Sequence, residues 1–302
     1  MNIRAHSAVV GSLSSLLGVL LFAPAARAQE DGDPAPGLMK QDAATAGTTN
    51  VAEETFAAAA KDAEDAKDTL ELKLSAGGLA ATGNSRSLAL TASGDFRIRR
   101  GDNQLSAMAA ANYGRAAADR DSDMETTVQN EQGRVRYDRF LTEHLAAFFA
   151  VSARHDPFQG LDLRLNFDPG FAYYVIDEKT HQLWGELGYD LQYDVRSDDA
   201  LDVAAAAGDP QEKTETRHSG RAFVGYDNKL NEAVTFKTGL EYLQGLDKTE
   251  NWRLNWDAAL TSQIAGNFSL STTFTLKYDH NPLPTVADLD TVTAISLVYQ
   301  LL

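Results

Sequence analysis

The fold of this chain is most evident in residues 252–261, whose sequence is WRLNWDAALT. Apolar side chains alternate here with polar ones. The apolar set is Trp252, Leu254, Trp256, Ala258 and Leu260, and the polar set is Arg253, Asn255, Asp257 and Thr261. Successive side chains of a β-strand point to opposite faces, whereas a helix would scatter these charges around its circumference. The stretch therefore predicts a strand with one apolar and one polar face.

The same period of two recurs along the rest of the chain after Leu70. It predicts strands at 70–81, 86–98, 104–115, 125–140, 145–155, 163–176, 181–194, 213–227, 233–244, 251–264, 268–280 and 290–302. An apolar face suits lipid and a polar face suits a lumen, so the predicted fold class is all-β, a closed antiparallel transmembrane β-barrel of about twelve strands. The segments 125–140 and 145–155 fit least well, because Ala146–Val151 is apolar on both faces.

The connections between these segments predict how the barrel is oriented. Those after even-numbered strands are short: Arg99–Asn103, Leu141–His144, Asp177–Thr180, Asn228–Glu232 and Ala265–Asn267. Those after odd-numbered strands are mostly longer and polar: Ala116–Met124, Asp156–Asp162, Val195–Glu212 and Asn281–Leu289, with Thr82–Ser85 as the exception. Short inner turns and long outer loops predict a barrel with both termini in the periplasm.

Aromatic residues agree with that orientation. Tyr193, Tyr242, Trp252 and Tyr278 fall at the predicted outer strand ends, and Tyr137, Tyr226, Phe236, Phe268 and Tyr299 fall at the inner ends. Two belts of amphipathic rings are typical of the two interfaces of a membrane. We therefore expect the barrel to contact lipid and lipopolysaccharide in the outer membrane of a Gram-negative bacterium.

The first 69 residues differ in composition from the barrel. Residues 1–28 have the features of a cleaved signal peptide: Arg4, an apolar run from Ala8 to Phe22, and an A-x-A site at Ala26 and Ala28. Residues 29–69 are acidic and alanine-rich, which favours a disordered periplasmic linker with a predicted helix at Val51–Lys67. A coiled-coil or peptidoglycan-binding role for this linker is the alternative.

Charge and cysteine content exclude several classes of function. The formal charge is −16, and removal of Arg4 and Arg27 with the signal peptide makes it −18, so we expect no nucleic-acid partner. The chain contains no cysteine, which excludes disulfides, thiolate metal sites and a lipid-modified cysteine. We expect no cofactor and no resident metal.

Short motifs in residues 70–302 add a family resemblance. They are Thr82-Gly83-Asn84, Tyr137-Asp138-Arg139-Phe140, the spaced set Phe158, Gly160, Asp162 and Arg164, His280-Asn281, and Ser296-Leu297-Val298-Tyr299. In their order and spacing the chain resembles the salt-induced outer-membrane protein family, whose biochemical function is uncharacterised. The resemblance implies an outer-membrane barrel and a link to salt or osmotic adaptation, and it offers no catalytic residue.

The end of the chain departs from that family's pattern. The family resemblance implies an aromatic residue two positions after the tyrosine, where this chain has Leu301 followed by Leu302. The outward series Ile295, Leu297, Tyr299 and Leu301 is retained. Interaction with periplasmic chaperones and the barrel-assembly machinery is therefore expected to be weakened rather than lost.

The predicted lumen carries charges of both signs. Its candidate lining residues are Arg134, Arg136, Arg164, Glu186, Asp190, Arg217, Arg221, Lys237, Glu241, Arg253, Asp257, Lys277 and Asp279. One interpretation is a narrow pore for ions or small solutes with a selectivity lining. The other is an interior filled by side chains whose buried charges pair with one another, and twelve strands lie between the two cases.

An outer-membrane hydrolase with a site at the extracellular rim is the second class of hypothesis. Its candidate groups are His155 beside Asp156 and His280 beside Asp279, whereas His218 and Ser219 are adjacent and should point to opposite faces. No G-x-S-x-G motif is present.

An acidic loop raises the further alternative of a divalent cation site. Asp119, Asp121, Asp123 and Glu125 alternate between the third and fourth strands and offer oxygen ligands, but the loop lacks the central glycine of an EF-hand. A solvated acidic loop is the favoured interpretation.

Overall fold

The structure, a computed structural model, describes residues 68–82, 86–117, 122–178, 180–282 and 287–301. The predicted signal peptide, the predicted helix at 51–67 and nearly all of the linker lie outside the described residues, so these assignments stay predictions.

Twelve strands lie in the described residues and form one closed antiparallel barrel. They are β1 Asp68–Ala81, β2 Arg86–Arg100, β3 Asn103–Ala117, β4 Glu125–Phe140, β5 Leu145–Asp156, β6 Leu161–Asp177, β7 His181–Arg196, β8 Thr214–Lys229, β9 Val234–Gly245, β10 Trp252–Ala265, β11 Phe268–Asp279 and β12 Leu289–Gln300. Each strand pairs with its neighbours in sequence, and β1 meets β12 from Lys73↔Gln300 to Ala76↔Leu297. The predicted fold class is confirmed, and each predicted strand boundary lies within two residues of the observed one.

The two ends of the barrel differ in their connections. An even number of antiparallel strands places the start of β1 and the end of β12 at one end, which we call the terminal end, and the other is the loop end. Tight turns at the terminal end use Gly101 at φ 55° and Gly266 at φ 52°, a left-handed conformation that glycine adopts without steric cost.

The loop end carries the longer connections. The predicted loop Val195–Glu212 is more ordered than expected, because it contains a helix, α1 (Asp198–Ala206). Ser197 caps this helix by accepting a hydrogen bond from the Ala200 N–H at 3.2 Å. None of the helices in the described residues has the length and hydropathy that a membrane span requires.

The loop that holds α1 is fastened to the connection between β5 and β6. The Ser197 N–H donates to the Gly160 carbonyl at 2.8 Å. Lys213 donates to Asp198 at 2.6 Å and to Asp162 at 3.2 Å, and these contacts raise the pKa of the Lys213 ammonium.

The outer wall of the barrel is apolar. Leu187 is 71% exposed and Ile295 is 62% exposed, and many other large apolar side chains share this surface. In β10 the structure places Trp256 and Leu260 on the outside and buries Asp257, as the alternation predicts. The rings of Phe268 and Tyr299 meet at the terminal end of this wall, with centroids 4.7 Å apart.

Candidate functional site: the barrel interior

The inner face of β4–β8 carries a cluster of large side chains in the half of the barrel nearer the terminal end. This aromatic cluster consists of Phe140, Phe148, Tyr174, Trp184 and Phe223, with Ala146 and Ala172 among them. Ring centroids lie 6.0 Å apart for Phe140 and Tyr174, and 6.3 Å apart for Tyr174 and Trp184. The cluster explains why Ala146–Val151 lacks a polar face: the inward side chains of this part of β5 pack against apolar neighbours.

Three rings of this cluster lie over glycines of the adjacent strand. A Cβ on Gly225 would lie 2.2 Å from Trp184, one on Gly239 would lie 2.8 Å from Phe223, and one on Gly170 would lie 2.5 Å from Phe148. All three distances are too short for a real contact. The aromatic cluster therefore requires glycine at these inward positions.

A network of buried ion pairs covers the cluster on the side of the loop end. This ionic layer consists of Asp138, Arg136, Glu186, Arg221 and Glu241. The joined pairs are Arg136–Asp138 at 2.7 Å, Arg136–Glu186 at 2.9 Å, Arg221–Glu186 at 2.8 Å and Arg221–Glu241 at 2.6 Å. The Arg136 guanidinium also lies 3.9 Å from the centroid of the Phe148 ring. Arg136 and Glu186 belong to β4 and β7, so their contact bridges the inner face of β5 and β6.

Above the ionic layer lies a cavity of about 200 Å³, which we call the vestibule. Arg134, Arg221 and Glu241 line its deep side, and Pro282 and Asp288 line it at the loop end. A second contact between non-adjacent strands lies in the vestibule, where Arg253 of β10 reaches Asp190 of β7 at 3.4 Å.

The interior is also polar at the terminal end, where ion pairs lie on β1 and β2 and on β8 and β9. Glu71 and Arg97 pair at 2.7 Å, and Lys237 and Asp227 pair at 3.4 Å. These side chains are partly exposed. The ionic layer and the aromatic cluster lie between these charges and the vestibule, on the wall made by β4–β9.

The candidate lining residues fall into four groups. Those that line the vestibule are Arg134, Arg164, Asp190, Arg217, Arg221, Glu241, Arg253, Lys277 and Asp279. Arg136 and Glu186 lie beneath it in the ionic layer. Lys237 lies with the terminal-end charges, and Asp257 is buried in the wall, where it accepts a hydrogen bond from Thr275 at 2.7 Å. Whether any of them contacts a passing solute stays a prediction.

The predicted lining omitted several acids that hold arginines of the interior. Asp194 binds Arg164 through two contacts of 2.8 Å, Asp156 binds Arg154 at 2.6 Å, and Asp168 lies 3.6 Å from Arg134. Each follows the strand period, so the alternation itself could have found them. The aromatic cluster breaks that alternation with apolar residues at polar-face positions, and this break was its only signal.

In each predicted carboxylate–histidine group, the strand geometry directs the histidine and the carboxylate to different partners. Asp156 is buried and binds Arg154, whereas the His155 ring contacts the Asp162 carbonyl at 2.7 Å. His280 stacks on Trp252 with centroids 5.1 Å apart, whereas Asp279 faces Arg217. His218 contacts Tyr189 and Ser219 is buried, which fits their expected opposite faces. The two carboxylate–histidine groups of the hydrolase hypothesis are therefore not assembled.

The acidic loop is only partly described. Asp119 and Asp121 lie outside the described residues, and Asp123 and Glu125 are exposed. Within the described part of the chain, no group of three or more histidine, aspartate or glutamate side chains is arranged to hold a metal ion. The cation site at this loop stays a prediction.

Two of the resemblance motifs contribute directly to this interior. In Tyr137-Asp138-Arg139-Phe140, Asp138 belongs to the ionic layer and Phe140 to the aromatic cluster. Gly160 ends the 3₁₀ helix Pro157–Gln159 at φ 68°, and Arg164 follows it into the vestibule.

Comparison with solved structures finds other barrels at low identity. The NanC porin is 12% identical at a TM-score of 0.46, with 78% of this chain and 100% of that chain covered. The translocator domain of the autotransporter NalP from Neisseria meningitidis is 10% identical at a TM-score of 0.39, with 76% of this chain and 86% of that chain covered. An anion-selective porin from Comamonas acidovorans is 9% identical at a TM-score of 0.34, with 77% of this chain and 99% of that chain covered.

Comparison with curated proteins finds no match. A family model does match, over residues 74–301, and its description is a protein of unknown function, DUF481. The match spans nearly the whole barrel and confirms the family resemblance drawn from the motifs. This chain belongs to the DUF481 family of proteins of unknown function.

Proposed function

We propose that this protein spans the outer membrane and has a structural or permeability role there, with a narrow pore for ions or small solutes. The observation that carries the proposal is the pairing of an apolar outer wall with a charged interior in one closed barrel. Water-soluble proteins rarely expose a continuous apolar surface of this extent. Lipid and lipopolysaccharide are the environment that such a surface fits.

The expected orientation places the loop end outside the cell and the terminal end in the periplasm. The longer connections and α1 lie at the loop end, and the tight turns lie at the other. This is the usual arrangement of outer-membrane barrels. The vestibule would then open to the cell exterior.

The interior supports a small conductance rather than a wide channel. The ionic layer joins β4, β7, β8 and β9 inside the barrel, and the aromatic cluster fills the space beneath it along β4–β8. A solute must pass along the remaining wall or displace paired charges. Breaking a buried ion pair is costly, because it leaves a charge without compensation.

Single-channel recording in planar bilayers tests this proposal. We expect small conductance steps from the native barrel and larger steps when Phe148 and Trp184 are both replaced by alanine, because two rings of the aromatic cluster are lost. Trp256→Ala is the matched control, since it removes a large ring from the outer wall. If the native barrel and the Phe148/Trp184 double variant are both correctly folded and neither gives conductance steps, the pore is refuted and a structural role remains.

A further inference from the structure

The arginines of the vestibule are more accessible than the acids that hold them. In the pair Arg164–Asp194 the side chains are 22% and 4% exposed, in Arg253–Asp190 they are 14% and 2% exposed, and in Arg134–Asp168 they are 16% and 8% exposed. The short aspartates lie against the wall and the long guanidinium groups extend into the lumen. At this depth a solute therefore meets arginine first, although the number of charges of each sign is similar.

Three cations line this cavity together. Arg164 of β6, Arg217 of β8 and Arg253 of β10 all face the vestibule, so their positive charges repel one another. An anion among them would relieve that repulsion. Arg164 uses Nε and Nη2 on Asp194, which leaves the Nη1 donors of its guanidinium for another oxygen.

From this geometry we propose that the vestibule binds small organic anions that carry carboxylates, through Arg164, Arg217 and Arg253. Guanidinium groups match the geometry of carboxylate oxygens and can bind them in a bidentate manner. The cavity of about 200 Å³ holds a molecule with a short carbon chain. The inference deepens the proposed permeability role by naming a class of solute, but binding itself requires neither conduction nor a membrane.

Two acids at the mouth of the vestibule, its opening at the loop end, weaken the binding of an anion. Glu215 lies 3.0 Å from Arg217, Asp279 lies 3.8 Å from it, and both acids are more exposed than the arginine. These acids lower the local positive potential. Their neutralisation should strengthen the binding of an anion.

The test is calorimetric titration of the full barrel, folded in an uncharged detergent, with three five-carbon probes. Glutarate carries two carboxylates, glutaramide is its neutral analogue and 1,5-diaminopentane is a dication of the same chain length. We expect glutarate to bind and the other two to show no saturable heat. Equal binding of glutaramide, or preferential binding of the diamine, would overturn the proposal.

Two variants locate the site. Arg164→Gln combined with Asp194→Asn leaves the net charge unchanged and should weaken glutarate binding by about tenfold or more, because charged hydrogen bonds are lost. Arg139→Gln with Asp102→Asn makes the same change at the terminal end, where this pair is exposed, and should leave the affinity unchanged.

A substitution at the mouth of the vestibule should change the affinity for glutarate in the opposite direction. Asp279→Asn should tighten glutarate binding. Unchanged affinity in both the Arg164/Asp194 and the Asp279 variants would place any glutarate elsewhere and contradict the proposal. Binding without conductance would refute the pore and leave this inference intact, and conductance without binding would do the reverse.

Discussion

At the scale of the residue, Gly225 controls the packing of the aromatic cluster. A Cβ at this position would overlap the Trp184 ring, whereas one at Gly220 in the same strand would meet Leu246 at an ordinary 3.8 Å. We expect Gly225→Ala to destabilise the barrel by about 1–3 kcal/mol, the usual cost of overpacking a filled interior. The free energy of unfolding in urea measures this.

Gly220→Ala is the matched control for that substitution. It adds the same methyl group to β8 without a clash and should leave stability nearly unchanged. Equal stability of the two variants would show that the Trp184 ring does not occupy the position described.

Arg136 is the residue on which the ionic layer depends. It contacts Asp138 and Glu186, and its own side chain is 3% exposed. Arg136→Gln leaves two buried carboxylates with fewer partners, so we expect a loss of about 3–5 kcal/mol in the free energy of unfolding.

Arg139, three residues further along β4, provides the comparison. It is half exposed and lies 3.8 Å from Asp102, so Arg139→Gln should cost at most about 1 kcal/mol, as is typical of surface pairs. Comparable losses from the two substitutions would mean that the ionic layer is solvated rather than buried.

At the scale of the element, the alternation in β10 specifies which side chains face lipid. Trp256 lies outside with its indole N–H donating to the Thr238 hydroxyl at 2.9 Å, and Asn255 lies inside with its amide donating to Glu241 at 2.9 Å. Trp256→Arg should impair folding into lipid vesicles by about 2–4 kcal/mol if the site is near the midplane, and less near an interface.

Asn255→Arg tests the other face of the same strand. Asn255 lines the vestibule, where a longer polar side chain remains in contact with water, so we expect the variant to assemble. Assembly of the Trp256 variant together with failure of the Asn255 variant would mean that the strand is turned inside out, because a shift of one residue exchanges the two faces.

The strands themselves are predictable because lipid and lumen impose a strict period of two. This is why β10 and β11 could be placed within one residue from the sequence. The aromatic cluster could not be predicted in this way, because Phe148 and Trp184 occupy positions at which the period of two predicts polar side chains. Their neighbours Gly170 and Gly225 come from other strands, so the requirement for glycine becomes visible only once the register is known. The helix α1 was missed because its nine residues are mostly alanine and aspartate, a composition that also fits a solvated loop.

At the scale of the whole molecule, the two ends of the barrel differ in access to the interior. The vestibule reaches the loop end, and the ionic layer and aromatic cluster fill the space beneath it along β4–β9. If the loop end faces outward, a water-soluble reagent added to intact cells should reach the vestibule and no part of the lipid-facing wall.

The absence of native cysteine makes that claim directly measurable by cysteine labelling. Single cysteines at Ser152, which lines the vestibule, and at Leu187, which lies on the outer wall, can be treated in intact cells with a small charged methanethiosulfonate. We expect rapid modification of Ser152→Cys and none of Leu187→Cys. Modification of Leu187→Cys with protection of Ser152→Cys, or modification of Ser152→Cys only after the cells are lysed, would contradict it.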